Sequence, residues 1–416
     1  MSEWQTFCLK DLVKIVGGAT PPTNNPKNYG NKIRWITAKD LSTLQGRYIK
    51  KGSRNISRLG FKSCSTFLLP KHAILFSVRA PIGYTAIISK RSCTDRGLMG
   101  LVPNKKIYFE FLYYLLKYHK DNISNMGVGT TFKGISKPAL GLFQVKIPPT
   151  YYEQQKIAHT LSVLDQKIEN NHKINELLHK ILELLYEQYF VRFDFLDENN
   201  KPYQTSGGKM KFSKELNRLI PNDFEVKTLG ELVDIFSGYS FQSNTYSNNK
   251  NDYILITNKN VQHSLIDLSI TTNLLFLPKK LPKYCLLEPT NILITLTGHI
   301  GRCALVFSKN CILNQRVGVV LPKEKELNPF YYSLIRNPLF SAILQRNAIG
   351  SSQQNLSPID TLKIQIPFNH KIIKQYSKTC ENIIKLLVSN MQSTQTLTAL
   401  RDFLLPLLLK QQVKPE

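Results

Sequence analysis

Two similar sequence segments decide the fold: LVKIVGGAT at residues 12–20 and LVDIFSGYS at residues 232–240. Leucine, valine, isoleucine and glycine occupy matching positions in both, displaced by 220 residues. A single short match of this kind arises by chance in many chains. It indicates a repeat only if the similarity continues elsewhere in the sequence.

The similarity continues in five further pairs of segments, in the same order and at displacements of 218 to 221 residues. The pairs are IRWITAKDL (33–41) with YILITNKNV (253–261), AILFSVRAPIGYTAII (73–88) with NILITLTGHIGRCALV (291–306), FLYYLLK (111–117) with FYYSLIR (330–336), GTTFKGIS (129–136) with GSSQQNLS (350–357), and VKIPP (145–149) with IQIPF (364–368). This period is far longer than the roughly 20–50 residues of solenoid repeats, so it indicates a duplicated domain.

Composition favours a folded protein of two or three domains. The chain has 416 residues, of which 42% are hydrophobic and 10% aromatic. The apolar run FLLPLLL near the C-terminus is too short to span a bilayer, and the polar start MSEWQTFCLKDL is unlike a signal peptide. Seven cysteines without a CxxC pair favour reduced thiols over a zinc site. We therefore expect a cytoplasmic protein with no bound metal.

The charge is strongly positive and unevenly distributed. The chain carries a net charge of +26, of which residues 1–150 hold +18 and residues 221–368 only +4. Such a field favours nucleic acid as a partner. A genome of low GC content also raises the lysine content without any binding role, so the uneven distribution carries more weight than the total.

Each copy reads as an α/β (α+β) globule of about 150 residues. Short β-rich apolar runs such as AILFSV and NILITL end near glycines and predict strands, whereas FEFLYYLLKYH and PFYYSLIR predict helix starts. Each globule ends at an Ile-Pro phrase, after which a long helical pattern begins. The predicted segments are globules at 1–150 and 221–368, long helices at 151–196 and 369–416, and a connector at 197–220.

Both long helices carry a heptad seam of apolar residues, typical of a coiled coil. The first seam runs from Ile157 to Tyr189 and the second from Tyr376 to Leu397, where it slips near Arg401. Both seams turn polar at their middles. If the helices pack antiparallel, these polar residues form one layer that fixes the register, namely Asn171, Asn175, Asn390 and Thr394. The alternative is a pair of solvated helices with imperfect heptads.

Two globules held at a fixed distance by a pair of long helices predict a protein that binds a two-part nucleic-acid site of defined spacing. A helix of about 40 residues is roughly 60 Å long. The matching seams further predict that a fragment of residues 1–190 pairs with a second copy of itself, giving a two-fold dimer.

The chain resembles the specificity subunits of type I restriction–modification systems over essentially its full length. The resemblance rests on the globule–helix duplication and on IPPTYYEQQKIAHTLSVLDQKIE (147–169), the connector wording FDF, GGKM and IP within 181–232, and LRDFLLPLLL (400–409). It implies two target-recognition domains separated by two long antiparallel helices with pseudo-two-fold symmetry. Where the first helix reads EQQKI, the second reads HKIIKQY.

The resemblance also implies a function and partners. Each target-recognition domain is expected to read one half of an asymmetric bipartite site in double-stranded DNA. The helices are expected to dock two modification subunits, which hold S-adenosylmethionine and methylate adenine, and restriction subunits with translocase and nuclease activity join the same core. The specificity subunit itself is expected to be non-catalytic and to hold no cofactor.

Two alternatives are a self-sufficient DNA methyltransferase or nuclease and a free-standing bipartite DNA-binding regulator. NPFY (328–331) resembles the NPPY/F loop of adenine methyltransferases but lacks the second proline, and we interpret it as a helix start. PNDFEVK (221–227) crowds its carboxylates into one turn, unlike a metal-dependent nuclease. No GxxxxGK[ST] phosphate loop occurs.

Loops at matching places in the two copies are the best candidates for DNA contact. Arginine reads guanine and asparagine or glutamine reads adenine in the major groove, whereas lysine, serine and threonine more often hold phosphates. Any single one of them is also compatible with an ordinary solvated surface position. The candidates are Arg79, Thr297, His299 and Arg302; Thr130, Thr131, Lys133, Ser351, Ser352, Gln353, Gln354 and Asn355; Lys39, Asn258, Lys259 and Asn260; and, as a backbone-holding edge, Arg47, Lys50, Lys51, Arg54 and Arg58.

Overall fold

A computed structural model describes residues 3–79, 81–128, 133–247, 253–348 and 355–415. It divides into a first unit, Met1–Asn170 with Thr394–Glu416, and a second unit, Asn171–Ser393. Each unit contains one globule together with part of each long helix.

Each globule is built around a largely antiparallel sheet, and four strands of this sheet follow the same order in both units. In the first unit the order is Val13–Gly17, Leu98–Pro103, Ile74–Ser77, Thr85–Ile88 and Tyr48–Ile49. In the second it is Val233–Ser237, Val317–Pro322, Ile292–Thr295 and Cys303–Leu305. The registers correspond too, because Ile15 faces Leu101 where Ile235 faces Val320. The central strands are buried along their whole length, which is why their sequences are apolar runs rather than alternating patterns.

A second sheet and a closing strand pair complete each globule. The second sheets have the orders Arg54–Ile56, Tyr29–Ile36, Cys93–Thr94 in the first unit and Tyr246–Ser247, Thr272–Leu274, Tyr253–Ile256, Cys311–Leu313, Leu286–Leu287 in the second. The closing pairs join the start of each globule to its end, Gln5–Cys8 with Gln144–Ile147 and Glu225–Thr228 with Gln365–Phe368. The connector adds one hairpin, Met210–Ser213 with Arg218–Pro221.

The helices of the globules are short. In the first unit they are Leu9–Leu12, Ala38–Ser42, Arg58–Lys62, Phe109–Tyr118, Lys120–Asn125 and Lys137–Leu142, with a 3-10 turn at Pro26–Asn28. In the second they are Leu229–Leu232, Asn328–Arg336, Pro338–Arg346 and Pro358–Leu362, with 3-10 turns at Ser243–Thr245, Lys283–Cys285 and Lys325–Leu327. Phe109–Tyr118 and Asn328–Arg336 are counterparts, and both are buried in their cores.

Two long helices follow the globules. The central long helix is Tyr151–Tyr186, continued by a π-helical turn at Glu187–Val191, and the distal long helix is His370–Leu409. Their starts are capped alike, because the Thr150 hydroxyl accepts from the Glu153 N–H at 3.2 Å and the Asn369 side chain accepts from the Ile372 N–H at 3.1 Å. At about 1.5 Å per residue they are roughly 54 and 60 Å long.

Inside each unit the two helix segments pack antiparallel. In the second unit Asn171 bonds to Asn390, and Asn175, further along the central helix, bonds to the earlier Leu387. In the first unit the apolar cluster joins Ile157 of the central helix to Leu408 near the end of the distal one. The predicted fold class, duplicated α/β globules with long antiparallel helices, is confirmed.

Candidate nucleic-acid interface

In the first unit one hydroxyl group holds the described part of the RAPIG loop, residues 79 and 81–83. Ser77 donates from Oγ to the Pro81 carbonyl at 2.9 Å and accepts from the Tyr84 N–H at 2.8 Å. Gly83 has φ +104°, a left-handed conformation that disfavours any side chain. The exposed Arg79 therefore projects from a rigid base.

The TGHIG loop (297–301) of the second unit repeats this construction. The Thr295 hydroxyl donates to the His299 carbonyl and accepts from the Arg302 N–H at 3.0 Å. Gly301 has φ +79°. Ser77 and Thr295 were not among the predicted site residues, although they occupy matching positions in the repeated phrase.

The described ends of the second pair of predicted loops, in GTTFKGIS (129–136) and GSSQQNLS (350–357), lie against the first pair. In the first unit Arg79 forms a β-bridge with Gly134, and in the second unit Thr297 forms one with Asn355. Lys133 and Asn355 are exposed beside these bridges. The other candidates of these loops, Thr130, Thr131, Ser351, Ser352, Gln353 and Gln354, lie outside the described residues.

Most of the predicted basic edge of the first unit is accessible to a ligand. Its exposed members are Lys50, Lys51, Arg54 and Arg58, and Lys39, a candidate of another loop, is exposed as well. Within the described ranges none of them forms an ion pair with a carboxylate, so their positive charge stays available. The Arg54 guanidinium lies 4.1 Å from the centroid of the Tyr29 ring, which holds it in place.

Arg47 does not belong to that edge, and its assignment is corrected. The residue is only 6% exposed. Its guanidinium pairs with Glu110 at 3.2 Å and with Glu169 of the central long helix at 3.3 Å. An arginine held by two carboxylates attaches the first globule to its helix and is not free for DNA.

Asn260 is likewise structural, which corrects its assignment as a base reader. It is 3% exposed, and its Oδ1 accepts from both the N–H and the hydroxyl of Thr257. Its side-chain amide donates to the Asp267 and Ile270 carbonyls. The counterpart Asp40 caps the matching turn of the first unit in the same way.

The remaining candidates of the second unit surround the TGHIG loop. Asn258 donates from Nδ2 to the Thr297 carbonyl at 2.8 Å and so ties the segment after the strand Tyr253–Ile256 to this turn. Its Oδ1 is buried, with no hydrogen-bond partner among the described residues. Lys259 and His299 are exposed, and Arg302 is half-buried.

Three of the four predicted polar-layer residues are brought together in the second unit. Asn390 donates from its side chain to the Asn175 Oδ1 at 3.0 Å, and Asn171 donates to the Asn390 carbonyl at 3.3 Å. Asn175 is 5% exposed. Thr394, the fourth, is 6% exposed and is assigned to the first unit.

The two enzyme-like motifs are parts of the scaffold. NPFY opens the helix Asn328–Arg336, with Pro329, Phe330 and Tyr331 buried in the core. In PNDFEVK, Glu225 pairs with Lys227 at 2.9 Å, and Phe224 is buried. Among the described residues no three His, Cys, Asp or Glu side chains cluster as metal ligands, and no helix has the length and apolarity to cross a membrane.

Sequence reasoning missed two buried polar clusters where the globules meet the long helices. In the first unit Asp165 accepts from the Tyr114 hydroxyl at 2.6 Å and pairs with Arg401 at 2.7 Å. In the second unit the His179 ring lies 2.8 Å from the Tyr332 hydroxyl. Burial, and then the nearby Arg336, lower the pKa of His179 to about 4, so this histidine is neutral. For the first cluster, the only signal in the sequence was the interruption of the heptad seam near Arg401.

A family model described as the type I restriction modification DNA specificity domain matches residues 1–180 and again 221–398. The MjaIX specificity subunit, of a type I restriction enzyme from Methanocaldococcus jannaschii, is 30% identical over all of this chain and 94% of its own length. The HindI specificity subunit of Haemophilus influenzae is 24% identical over 99% of this chain and all of its own.

A solved structure supports the fold. The crystal structure of the S subunit of a type I restriction–modification system from M. genitalium matches with a TM-score of 0.58 at 19% identity. The match covers 97% of this chain and 96% of that one. At this identity the similarity concerns the fold alone.

Proposed function

The chain belongs to the family of type I restriction–modification DNA specificity subunits, and from this we propose that each globule reads one half of an asymmetric bipartite DNA site. The chain acts in the cytoplasm and performs no catalysis itself. Methylation is carried out by two modification subunits that bring S-adenosylmethionine, and cleavage by restriction subunits.

The observation that carries this proposal is the repeated loop pair. The same turn, held by Ser77 or Thr295, presents different side chains in the two units. Arg79 stands where the second unit has Thr297, and Tyr84 where it has Arg302. A common scaffold with different side chains at equivalent places suits two half-sites of different sequence.

The central long helix offers a surface for a modification subunit. Four exposed apolar residues follow one another at spacings of three, four and three, namely Ile174, Leu177, Ile181 and Leu184. Leu177 is 65% exposed. A heptad stripe of this kind fits the apolar face of a partner helix.

The test is to express the chain with its modification subunit in a host without adenine methylation and to sequence the methylated genome. We expect one asymmetric bipartite motif. With Arg79→Ala only the first half of the motif should relax, and with Leu177→Glu the subunits should no longer copurify. Methylation by the chain alone, or a motif without two parts, would contradict the proposal.

A further inference from the structure

A polar cavity of about 420 Å³ opens beside the TGHIG loop of the second unit. Side chains from three segments line it: Gln262 and His263, then His299 and Arg302, then Ser341 and Gln345 of the helix Pro338–Arg346. Among the described residues no carboxylate lines this cavity. Its position next to the Thr297–Asn355 bridge places it at the candidate nucleic-acid interface.

The lining favours an anion. Arg302 makes no ion pair within the described part of the chain, and its guanidinium donates to the Gln262 side-chain oxygen at 3.4 Å. That bond orients Arg302 and occupies the Gln262 acceptor. Burial lowers the pKa of His263 most, and the guanidinium groups of Arg336 and Arg302 lower it further.

The backbone of the TGHIG loop packs closely against the helix that lines the cavity. Gly298 and Gly301 both have left-handed φ values, +76° and +79°. A Cβ on Gly301 would lie 2.9 Å from the Ser341 Oγ. The loop can therefore pack against the helix that carries Ser341 and Gln345 only with glycine at this position.

The matching place in the first unit is built differently. There a Cβ on Gly83 would lie 2.5 Å from the Lys120 Cγ, so the stem of Lys120 covers the glycine. Pro81 stands in place of His299, and Tyr84 in place of Arg302. The cluster of donors around Arg302 is therefore a property of the second unit and does not follow from the shared fold.

We propose that this cavity binds one phosphodiester group of the DNA backbone at the second half-site, held by Arg302 with the Ser341 hydroxyl and the Gln345 amide. A phosphate is preferred to a base edge because Arg302 gives the lining a positive charge, no described lining residue is a carboxylate, and the Gln262 acceptor beside Arg302 is already engaged. The cavity exceeds the volume of a phosphate, and water fills the rest. This assignment rests on the proposed function, since it takes the bound DNA for granted.

The test is methylphosphonate scanning of the second half-site, using the chain in complex with its modification subunit. Each substitution removes the charge of one phosphate. For the unchanged complex we expect about a tenfold loss of affinity at one backbone position near the second half-site. With Arg302→Gln the same substitution should have almost no further effect, because the two changes remove the same contact.

The matched control is Arg346→Gln, which removes one exposed positive charge from the same helix outside the cavity. In Arg302→Gln the slope of log K against log salt should flatten by about 0.9. The ratio of the DNA affinity of the unchanged complex to that of the variant should therefore fall about 3- to 4-fold between about 50 and 200 mM salt. The methylated motif should stay the same. A thermal melt establishes that the variant is folded.

The outcomes separate this inference from the proposed function. If the unchanged complex methylates its bipartite motif but Arg302→Gln behaves like Arg346→Gln, the cavity is not a phosphate site although the proposed function stands. If Arg302→Gln relaxes one base of the second half-site, Arg302 reads a base and the phosphate assignment is overturned. If the unchanged complex has no bipartite motif, the proposed function itself fails.

Discussion

The two units attach equivalent globules to equivalent helices by different buried contacts. In the first unit the contact is ionic, since Arg47 bonds to Glu110 and Glu169, and Asp165 bonds to Arg401. The Arg401 and Asp165 side chains are 15% and 6% exposed. The Tyr48 hydroxyl adds a bond of 2.6 Å to Glu110. We call the contact between a globule and its long helices the joint. In the ionic joint of the first unit, directional contacts between charges removed from water hold the globule.

In the second unit the matching positions of the helices are apolar. Ile384 and Val388 stand where the first unit has Asp165 and Glu169, and Leu182 stands where it has Arg401. All three are buried. The fully buried polar contacts that remain are neutral, chiefly His179 with Tyr332, and Tyr376 with Ser333 at 2.8 Å. The ion pair of Arg336 with Glu183 at 3.1 Å lies at the edge of this contact, where the Glu183 side chain is 48% exposed. Duplication has thus preserved the fold while the chemistry of the buried joint diverged.

Removing one partner of the ionic joint should have the largest effect. Arg401→Met leaves the Asp165 carboxylate buried without its arginine, which should cost about 3–5 kcal/mol in the free energy of unfolding. Asp165→Ile together with Arg401→Leu installs the pair of the second unit, and Tyr114→Phe removes the hydroxyl that would lose its acceptor, so this triple variant should cost little or even stabilise. Denaturant unfolding measures both. The control Arg192→Met breaks the exposed Arg192–Glu187 pair and should change stability by less than about 1 kcal/mol. A single variant no worse than this control would contradict the ionic joint.

The neutral joint should be sensitive to acid. His179 binds a proton below a pKa near 6.5 when unfolded, but only below about 4 when folded. The unfolded state therefore gains protons first as the pH falls, and stability is lost between about pH 6.5 and 4, by up to about 3 kcal/mol. Hydrogen exchange of second-unit amides reports this loss, and His179→Gln should remove the part due to His179. A variant with the same pH profile as the unchanged chain would exclude His179 as the cause.

The same difference bears on self-pairing of the fragment 1–190. In an antiparallel pair of two central helices, Asp165 faces Leu182 of the other copy, because Leu182 is the counterpart of Arg401. The buried carboxylate is then unpaired in both copies, which weakens the dimer that the matching seams alone predict. Asp165→Ile should strengthen it at least about tenfold in analytical ultracentrifugation. Equal association of both fragments would show that Asp165 is not buried in the dimer.

The smallest effect should lie in the salt dependence of DNA binding. The first globule carries +18 and the second +4, so more phosphate contacts are expected on the first. Changing Lys50 and Lys51 to glutamine should flatten the dependence of log K on log salt by up to about 1.8. The matched pair Lys279 and Lys280, also exposed, should contribute less when changed alike. Equal changes in slope for the two lysine pairs would mean that the net charge of a globule does not indicate how many phosphates it contacts.

The repeat and the heptads predicted the architecture because both are periodic along the chain. Asn171, Asn175 and Asn390 followed from the same periodicity. Arg47 and Asn260 were assigned wrongly because residue type does not reveal burial, and the partners of Arg47 lie 63 and 122 residues away. Asp165 was missed since it is adjacent to the seam position Leu164, and only its contact with Arg401 explains why the second seam slips there.

The central claim is that each globule reads its half-site independently on an equivalent scaffold. It is tested most directly by a chimera in which residues 3–149 replace residues 223–368. Because the copied Arg47 would meet Val388 where Glu169 stands in the first unit, the chimera also carries Val388→Glu. Methylome sequencing with the modification subunit should then show a palindromic motif made of two copies of the first half-site, with the parental spacer. Retention of the parental asymmetric motif, or two half-sites in direct repeat, would contradict the account.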